Sequence, residues 1–298
     1  MNRRVLVVTH PARAEALSAL KEALEILRKS NFEVSLSDPE LATELNVDLF
    51  QSQRVPGKEG IELVIVLGGD GTILRAAELT AGTNVPLVGI NLGHVGFLAE
   101  GEKEDLADAI YRITSHDYEV ERRHILNIII KTPKGGTILD WALNEAALEK
   151  GEPTRMIDVS IDVDKRPLSK FGCDGVLVST ATGSTAHAFS AGGPVLWPEV
   201  EAMLVIPLAA HALFSRPLVV GRKSQITIFN NSKEETPAVL VCDGRRKYEV
   251  PTGSQITFQL NAQPLQFARL SRAPFTDRLV SKFQLPVLGW KDREKPQP

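Results

Sequence analysis

Gly68-Gly69-Asp70-Gly71-Thr72 is the segment best suited to chemistry. Three glycines in four positions let the backbone turn tightly and turn bare N–H groups toward phosphate oxygens. Asp70 is out of place in such a turn, because a carboxylate repels phosphate. Two roles would account for it: holding Mg²⁺, or taking the proton of a hydroxyl that attacks a phosphoryl group. The plainer alternative is an Asp side chain that closes the turn through an Asx bond. Directly before the glycines stands Leu63-Val64-Ile65-Val66-Leu67, which reads as a parallel strand buried on both faces. A helix is expected after them, from about Ile73 to Ala81. Ligands of open α/β sheets gather at the carboxyl ends of strands, and a helix start adds unpaired N–H groups. That setting, with Thr72 following, favours an anion-binding turn over simple Asx closure.

Other polar groups are more ambiguous. Asn144-Glu145 sets an amide beside a carboxylate at a turn or strand end, a pair able to hold vicinal hydroxyls or an adenine edge, or merely to be solvated. Thr182-Gly183-Ser184-Thr185 combines small hydroxyls with glycine at the start of a helix expected around Thr185–Ala191, which suits capping and anion recognition equally. Arg75, near the first turn of the expected helix, could reach a phosphate, but an isolated Arg such as Arg75 or Arg155 is usually a solvated charge. Asp174, within Cys173-Asp174-Gly175, is compatible with a plain turn. His94 and His211 read as core or turn histidines, and Cys173 and Cys242 as small apolar packers. No residue is assigned as a direct protein ligand of a metal.

Several classes are excluded by what the sequence lacks. It has no GxxxxGK[ST] loop, no GxGxxG after Val5–Val8, and neither HRD nor DFG. A net charge of −3 gives no basic surplus for nucleic acid. Apolar runs fall far short of the roughly 20 residues that span a bilayer. Two cysteines without CxxC spacing give no basis for a disulfide framework, and a reducing cytoplasm is the expected setting.

Elements that would position these residues fall into two halves of the 298-residue chain. In residues 1–120 strands and helices alternate. Val5–Val8 reads as a strand, and Leu17, Leu20, Leu24 and Leu27 form one stripe of a helix. Leu87–Ile90 is a further strand, and a helix is expected near Asp105–Ile113. This is an α/β domain with a Rossmann-like parallel sheet. Residues 121–272 are β-rich: Ile157, Val159, Ile161 and Val163 alternate with polar neighbours, the period of a strand with one wet face. Ile226–Phe229, Val239–Cys242 and Gln255–Leu260 continue the pattern, giving an all-β, sandwich-like domain. The tail, 273–298, has a helical stretch at Thr276–Phe283 expected to pack back on the first domain.

Gly68–Thr72 resembles the GGDGT motif shared by NAD kinases, diacylglycerol-type lipid kinases and, more distantly, phosphofructokinases. Asn91–Leu98 is similar to the NxGxxGFL segment of NAD kinases, and Asn144-Glu145 to their NE motif. Thr180–Pro194 resembles their second Gly-rich segment, and Cys242-Asp243-Gly244 follows their pattern. By this resemblance, which runs in order from about Val5 to Trp290, the chain is identified as a member of the bacterial NAD kinase family. Ala181 and His187 depart from the family's usual Pro and Tyr, with consequences for affinity and donor preference.

The resemblance implies phosphorylation of the 2′-hydroxyl of NAD's adenosine ribose by ATP, or by a similar donor such as polyphosphate, with Mg²⁺. Asp70 would be the general base. Gly71, Arg75, Asn144, Glu145, Arg155, Asp174, Thr185, Ala186, His187 and Ser190 would contact NAD, Arg155 from a neighbouring subunit. Gly68, Gly69, Thr72, Thr182 and Gly183 would serve ATP and its phosphates. The site is expected in a cleft between the domains, within a homodimer or homotetramer, without nucleic acid or membrane as partner. The alternatives are a lipid kinase of the same superfamily, a non-catalytic NAD-binding regulator, and an oxidoreductase, the last lacking its GxGxxG.

Overall fold

The protein is described by a computed structural model covering residues 3–11, 14–51, 60–92, 96–99, 105–151, 155–233, 238–271 and 273–287. Gly93, His94 and Val95 of the Asn91–Leu98 motif, and the chain end 288–298, lie outside the described residues. Two compact units form, Met1–Glu121 with Leu265–Pro298, and Arg122–Pro264.

The first unit is built on a seven-stranded sheet. Its strands are β1 (Arg3–Thr9), β2 (Phe32–Leu36), β3 (Asp48–Leu49), β4 (Ile61–Leu67), β5 (Leu87–Ile90), β6 (Glu119–Arg123) and, from much later in the chain, β19 (Leu265–Arg269). Their order is β3-β2-β1-β4-β5-β19-β6. β1 pairs in parallel with β2 and with β4, so the strand order reverses at β1 and the carboxyl ends of β1 and β4 lie side by side. Leu63–Leu67 of β4 are fully buried, as a central strand of a parallel sheet requires. Helix α1 (Ala14–Lys29) buries Ala16, Leu20, Ala23, Leu24 and Leu27, with Leu17 at the margin of the same core. The other helices here are α2 (Pro39–Glu44), α3 (Asp70–Thr80), α4 (Leu106–Thr114) and α6 (Phe275–Phe283). β19 stands with this unit because its backbone pairs in parallel with β5; short-range periodicity carries no signal of that pairing.

The second unit holds two six-stranded antiparallel sheets. One runs β11-β10-β15-β18-β7-β8 and the other β14-β13-β12-β9-β16-β17. In chain order these are β7 (Leu126–Lys131), β8 (Thr137–Ala142), β9 (Glu145–Lys150), β10 (Ile157–Val163), β11 (Arg166–Cys173) and β12 (Gly175–Thr180). There follow β13 (Ala202–Leu208), β14 (Leu218–Gly221), β15 (Ile226–Asn230), β16 (Ala238–Cys242), β17 (Arg246–Glu249) and β18 (Gln255–Leu260). Ile128, Ile228 and Phe258 of the first sheet share one core with Leu148, Val178 and Leu240 of the second, which makes the unit a sandwich. The expected helix near Thr185–Ala191 is reduced to a 3-10 turn, Thr182–Thr185, and a single turn α5 (His187–Ser190). Among the described residues no helix is long and apolar enough to cross a membrane.

Candidate functional site

In the first unit Gly68 and Gly69 carry the chain from β4 into α3, which begins at Asp70. Gly69 is the N-cap and supplies no side-chain cap, which leaves first-turn N–H groups for an anion. Thr72 is buried, and Gly71 and Arg75 are exposed. Arg75 lies five residues beyond Asp70, about 140° around the helix at 3.6 residues per turn. The two side chains therefore do not share a face.

Asp70 is held from across the loop. Its Oδ2 accepts the N–H of Phe97 and its Oδ1 that of Leu98, each at 3.2 Å. These bonds run to residues far along the chain, so the carboxylate is not simply closing its own turn. Gly96 makes the approach possible: a Cβ there would lie 2.3 Å from Asp70 Oδ1. The glycine of the Gly96-Phe97-Leu98 stretch is thus a requirement of Asp70's position.

In the second unit Asn144 ends the β8–β9 connection and Glu145 opens β9, both buried. Their backbone is fixed by three groups. Asp243 accepts from the N–H groups of Leu143 (2.9 Å), Asn144 (2.7 Å) and Glu145 (3.3 Å). Thr180 donates its hydroxyl to the Leu143 carbonyl at 2.6 Å and its N–H to the Asn144 carbonyl at 2.9 Å. Ser179 Oγ donates to that same Asn144 carbonyl at 3.0 Å. Gly183 closes over this turn, with its N–H donating to Thr180 Oγ1 at 3.1 Å. A Cβ on Gly183 would fall 2.0 Å from the Asn144 carbonyl oxygen, so no other residue fits without moving the backbone.

Asp243 reaches this place through a tight hairpin. Asp243 and Gly244 both have positive φ, +49° and +65°, and Arg245 N–H bonds to the Cys242 carbonyl at 3.0 Å. This is the pattern that Asp-Gly favours between antiparallel strands. Arg246 braces the arrangement: its Nε donates to Asp140 Oδ2 at 3.0 Å, and its Nη2 to the Trp141 carbonyl at 2.6 Å and to Asp243 Oδ2 at 3.3 Å. Asp243, Thr180, Ser179 and Arg246 are absent from the residues singled out by sequence as site members. Cys242-Asp243-Gly244 pointed toward Asp243 and the Thr180–Pro194 segment toward Thr180, while no motif marked Ser179 or Arg246.

Burial, and then the neighbouring Asp243 carboxylate, push the Glu145 carboxyl up to about 8, against a backbone hydrogen bond from His187. Asp243 is also raised by burial, although its backbone donors and Arg246 oppose the shift. At neutral pH Glu145 is therefore a protonated acid able both to donate and to accept, and its Oε2 is buried without a hydrogen-bond partner. A sugar hydroxyl or amide would satisfy it.

The segment Thr182–Ser190 is brought beside this turn. Thr182 and Gly183 are buried, Thr185 and Ala186 half-buried, and His187 and Ser190 exposed. Ser184 bonds Leu196 instead, accepting its N–H at 2.9 Å. Where the family resemblance expects Tyr, the exposed imidazole of His187 leaves its own backbone N–H bonded to Glu145. Where it expects Pro, Ala181 has φ −59°, a value proline itself adopts.

Asp174 and Arg155 are not brought to this cluster. Gly175 pairs with Glu149 and Ser179 with Glu145, so Asp174 sits at the far end of β12 from Asn144. Six strand residues at ~3.4 Å each put them roughly 20 Å apart. Asp174 is bonded to Lys150 Nζ at 2.6 Å, and Arg155 is exposed. Among the described residues there is no cluster of three or more His, Cys, Asp or Glu that could hold a metal.

Comparison with known proteins places these geometries in context. Residues 5–118 match the family model described as ATP-NAD kinase N-terminal domain, and residues 143–270 match ATP-NAD kinase C-terminal domain. The chain is 48% identical to the NAD kinase of Leifsonia xyli subsp. xyli over 97% of each chain. It is 46% identical to the NAD kinase of Thermobifida fusca, over 98% of this chain and 92% of that one. Among solved structures, an NAD kinase from Archaeoglobus fulgidus in complex with ATP matches at TM-score 0.72 and 29% identity, over 94% of this chain and 98% of that chain. Yeast NADH kinase complexed with NADH matches at TM-score 0.86 and 23% identity, over 96% and 89% of the respective chains, and speaks to the fold alone.

Proposed function

The chain belongs to the NAD kinase family, and from that premise we propose a transfer in which Asp70 accepts the proton of the 2′-hydroxyl of NAD's adenosine ribose. As that proton leaves, the hydroxyl oxygen forms a bond to the γ-phosphorus of ATP and the bond to the β-phosphate oxygen breaks, giving NADP and ADP. An alcohol is far too weak an acid to ionise at pH 7, so a positioned acceptor helps as the new bond forms, typically by about 10²–10⁴-fold. The observation that carries this reading is the Asp70 carboxylate, set at the start of α3 and oriented by the Phe97 and Leu98 N–H groups. It stands where the carboxyl ends of β1 and β4 meet, the edge of such sheets at which ligands bind.

The remaining assignments extend the same reading. Gly68, Gly69, Thr72, Thr182 and Gly183 serve the donor and its phosphates. Gly71, Asn144, Glu145, Thr185, Ala186, His187 and Ser190 receive NAD, with the protonated Glu145 and the Asn144 amide offering donors and acceptors to a sugar diol. Arg75 is assigned to NAD less directly, being turned away from Asp70 on α3. Asp174 and Arg155 serve NAD, Arg155 from a second copy of the chain, and the same origin would account for the roughly 20 Å between Asp174 and Asn144 within one copy. The assembly is accordingly a homo-oligomer, and its setting the cytoplasm.

Mg²⁺ belongs to the reading as the ion that arrives on the donor. Such ions keep several waters and bind substrate phosphates, so the ion would ride on the donor while Asp70 is left to take the proton. Bound there, it would neutralise charge on the transferring phosphoryl group.

The test is to incubate purified protein with NAD, ATP and Mg²⁺ and to read NADP through an NADP-specific dehydrogenase. Asp70→Asn should fold and bind NAD yet lose at least ~10²-fold in turnover. Wild-type rates in that variant would reject Asp70 as the base, and NAD binding without NADP from the parent protein would indicate a sensor.

A further inference from the structure

The segment that holds Asp70 is itself held by the C-terminal helix. Arg278 of α6 donates from Nη1 to the Phe97 carbonyl at 3.0 Å. The ring of Phe97 contacts two rings of the same helix, with centroids 5.5 Å from Phe283 and 6.2 Å from Phe275. Phe97 is thus gripped at its carbonyl and its ring by α6, while its N–H donates to Asp70. The Leu98 N–H beside it holds the other carboxylate oxygen.

α6 is poorly explained as a core element. Of its nine residues only Leu279 is buried. A helix of that length is marginal alone and depends on tertiary contacts. Three of its residues, Phe275, Arg278 and Phe283, meet at Phe97. Residues at the far end of the chain therefore set the backbone to which the carboxylate of Asp70 is tied.

We propose that α6 is a positioning device for phosphoryl transfer, with Arg278 as its positioning residue, acting on Asp70 through Phe97. This rests on the assignment of Asp70 as base. Without the guanidinium, the Phe97–Leu98 backbone gains freedom and the carboxylate drifts from the hydroxyl it must meet. The Asn144-Glu145 turn keeps its own bonds to Asp243 and Thr180. The loss therefore falls on turnover, not on affinity for NAD.

The experiment compares steady-state kinetics of the full-length parent with Arg278→Ala, Arg278→Lys, Phe283→Leu, Asp70→Asn and the Asp70→Asn/Arg278→Ala double variant, with thermal unfolding of each. Arg278→Ala should lower kcat by roughly 10- to 100-fold, the scale of a misplacement near 1 Å, with KM for NAD within about twofold of the parent. Arg278→Lys, which keeps a donor for the carbonyl, should recover part of the loss. Phe283→Leu, which keeps apolar bulk but not the ring contact, should give a smaller loss of the same kind, and stands in if Arg278→Ala fails to fold. In the Asp70→Asn background, Arg278→Ala should add less than about twofold, because residues acting as a unit are not additive.

Parent-like kcat in both Arg278→Ala and Phe283→Leu, with Asp70→Asn slow, would remove the positioning role and leave the base. A full additional loss in the double variant would do the same. Parent-like turnover in Asp70→Asn would instead remove the base assignment, and this inference with it.

Discussion

Asn144 and Asp243, ninety-nine residues apart in sequence, are joined by a hydrogen bond of 2.7 Å from the Asn144 N–H to Asp243 Oδ1. The same carboxylate also takes the N–H groups of Leu143 and Glu145. One buried side chain from a hairpin between β16 and β17 thereby shapes the turn that presents the Asn-Glu pair.

Asp243→Ala should accordingly cost about 3 kcal/mol or more, since several buried N–H groups lose their acceptor at roughly 1–3 kcal/mol each. Urea denaturation gives the loss, and KM for NAD should rise in parallel. A change under about 0.5 kcal/mol, the range of ordinary surface substitutions, would show that the turn holds its shape without Asp243.

Glu145 should make stability fall as pH rises. Its carboxyl is shifted from an ordinary 4.5 up to about 8, so the folded state binds the proton more tightly than the unfolded chain. Below the lower value both states are protonated and the group contributes nothing. Between the two values the unfolded chain ionises while the folded protein does not, so stability is lost at up to about 1.4 kcal/mol per pH unit. Above the upper value the loss is complete. The groups facing Glu145 are Asp243, with Arg246 behind it, and the His187 N–H. Glu145→Gln should flatten the profile, measured by urea denaturation across this window; an unchanged slope in the variant would assign the dependence to other groups.

Gly183→Ala should damage the site from within the backbone. The added Cβ would meet the Asn144 carbonyl oxygen at 2.0 Å, and neither partner is a flexible side chain. A destabilisation of about 1–3 kcal/mol is expected, as for overpacked cores. Turnover measured at subsaturating NAD should fall with it. Parent-like stability and KM would mean that the Asn144 turn can yield.

Ala181→Pro should do the opposite. With φ at −59°, the backbone already meets the demand of the pyrrolidine ring, and Thr180 before it is in a strand. Restricting the unfolded chain should add about 0.4–1 kcal/mol of stability, read as a higher Tm with unchanged kcat. A lower Tm would reveal a local clash.

Much of the fold was legible because its elements announce themselves locally. Leu63–Leu67 read as a strand buried on both faces, and the glycines after it as a turn into a helix. The alternation at Ile157–Val163 marked one face of a sandwich. β19 was not legible, because pairing with β5 is a contact between distant segments and leaves no periodic trace. The helix read near Thr185–Ala191 shrank to single turns because close packing of Gly183 on Asn144, not helix propensity, shapes that stretch.

By itself the sequence determined the kind of chemistry through its motifs, since Gly68–Thr72, Asn144-Glu145, Thr180–Pro194 and Cys242-Asp243-Gly244 follow in the order of NAD kinases, whereas residue types alone left Asp70 as base, metal holder or turn closer. It also determined the division into an α/β half and a β-rich half. Only the tertiary structure decided what holds that carboxylate and what shapes the Asn-Glu turn. Phe97 acts there through its own N–H, and Arg278, Thr180 and Asp243 through side chains bonded to backbone groups far along the chain. The backbone end of each bond could belong to any residue, so only the arrangement of sheet and hairpin decides which groups meet.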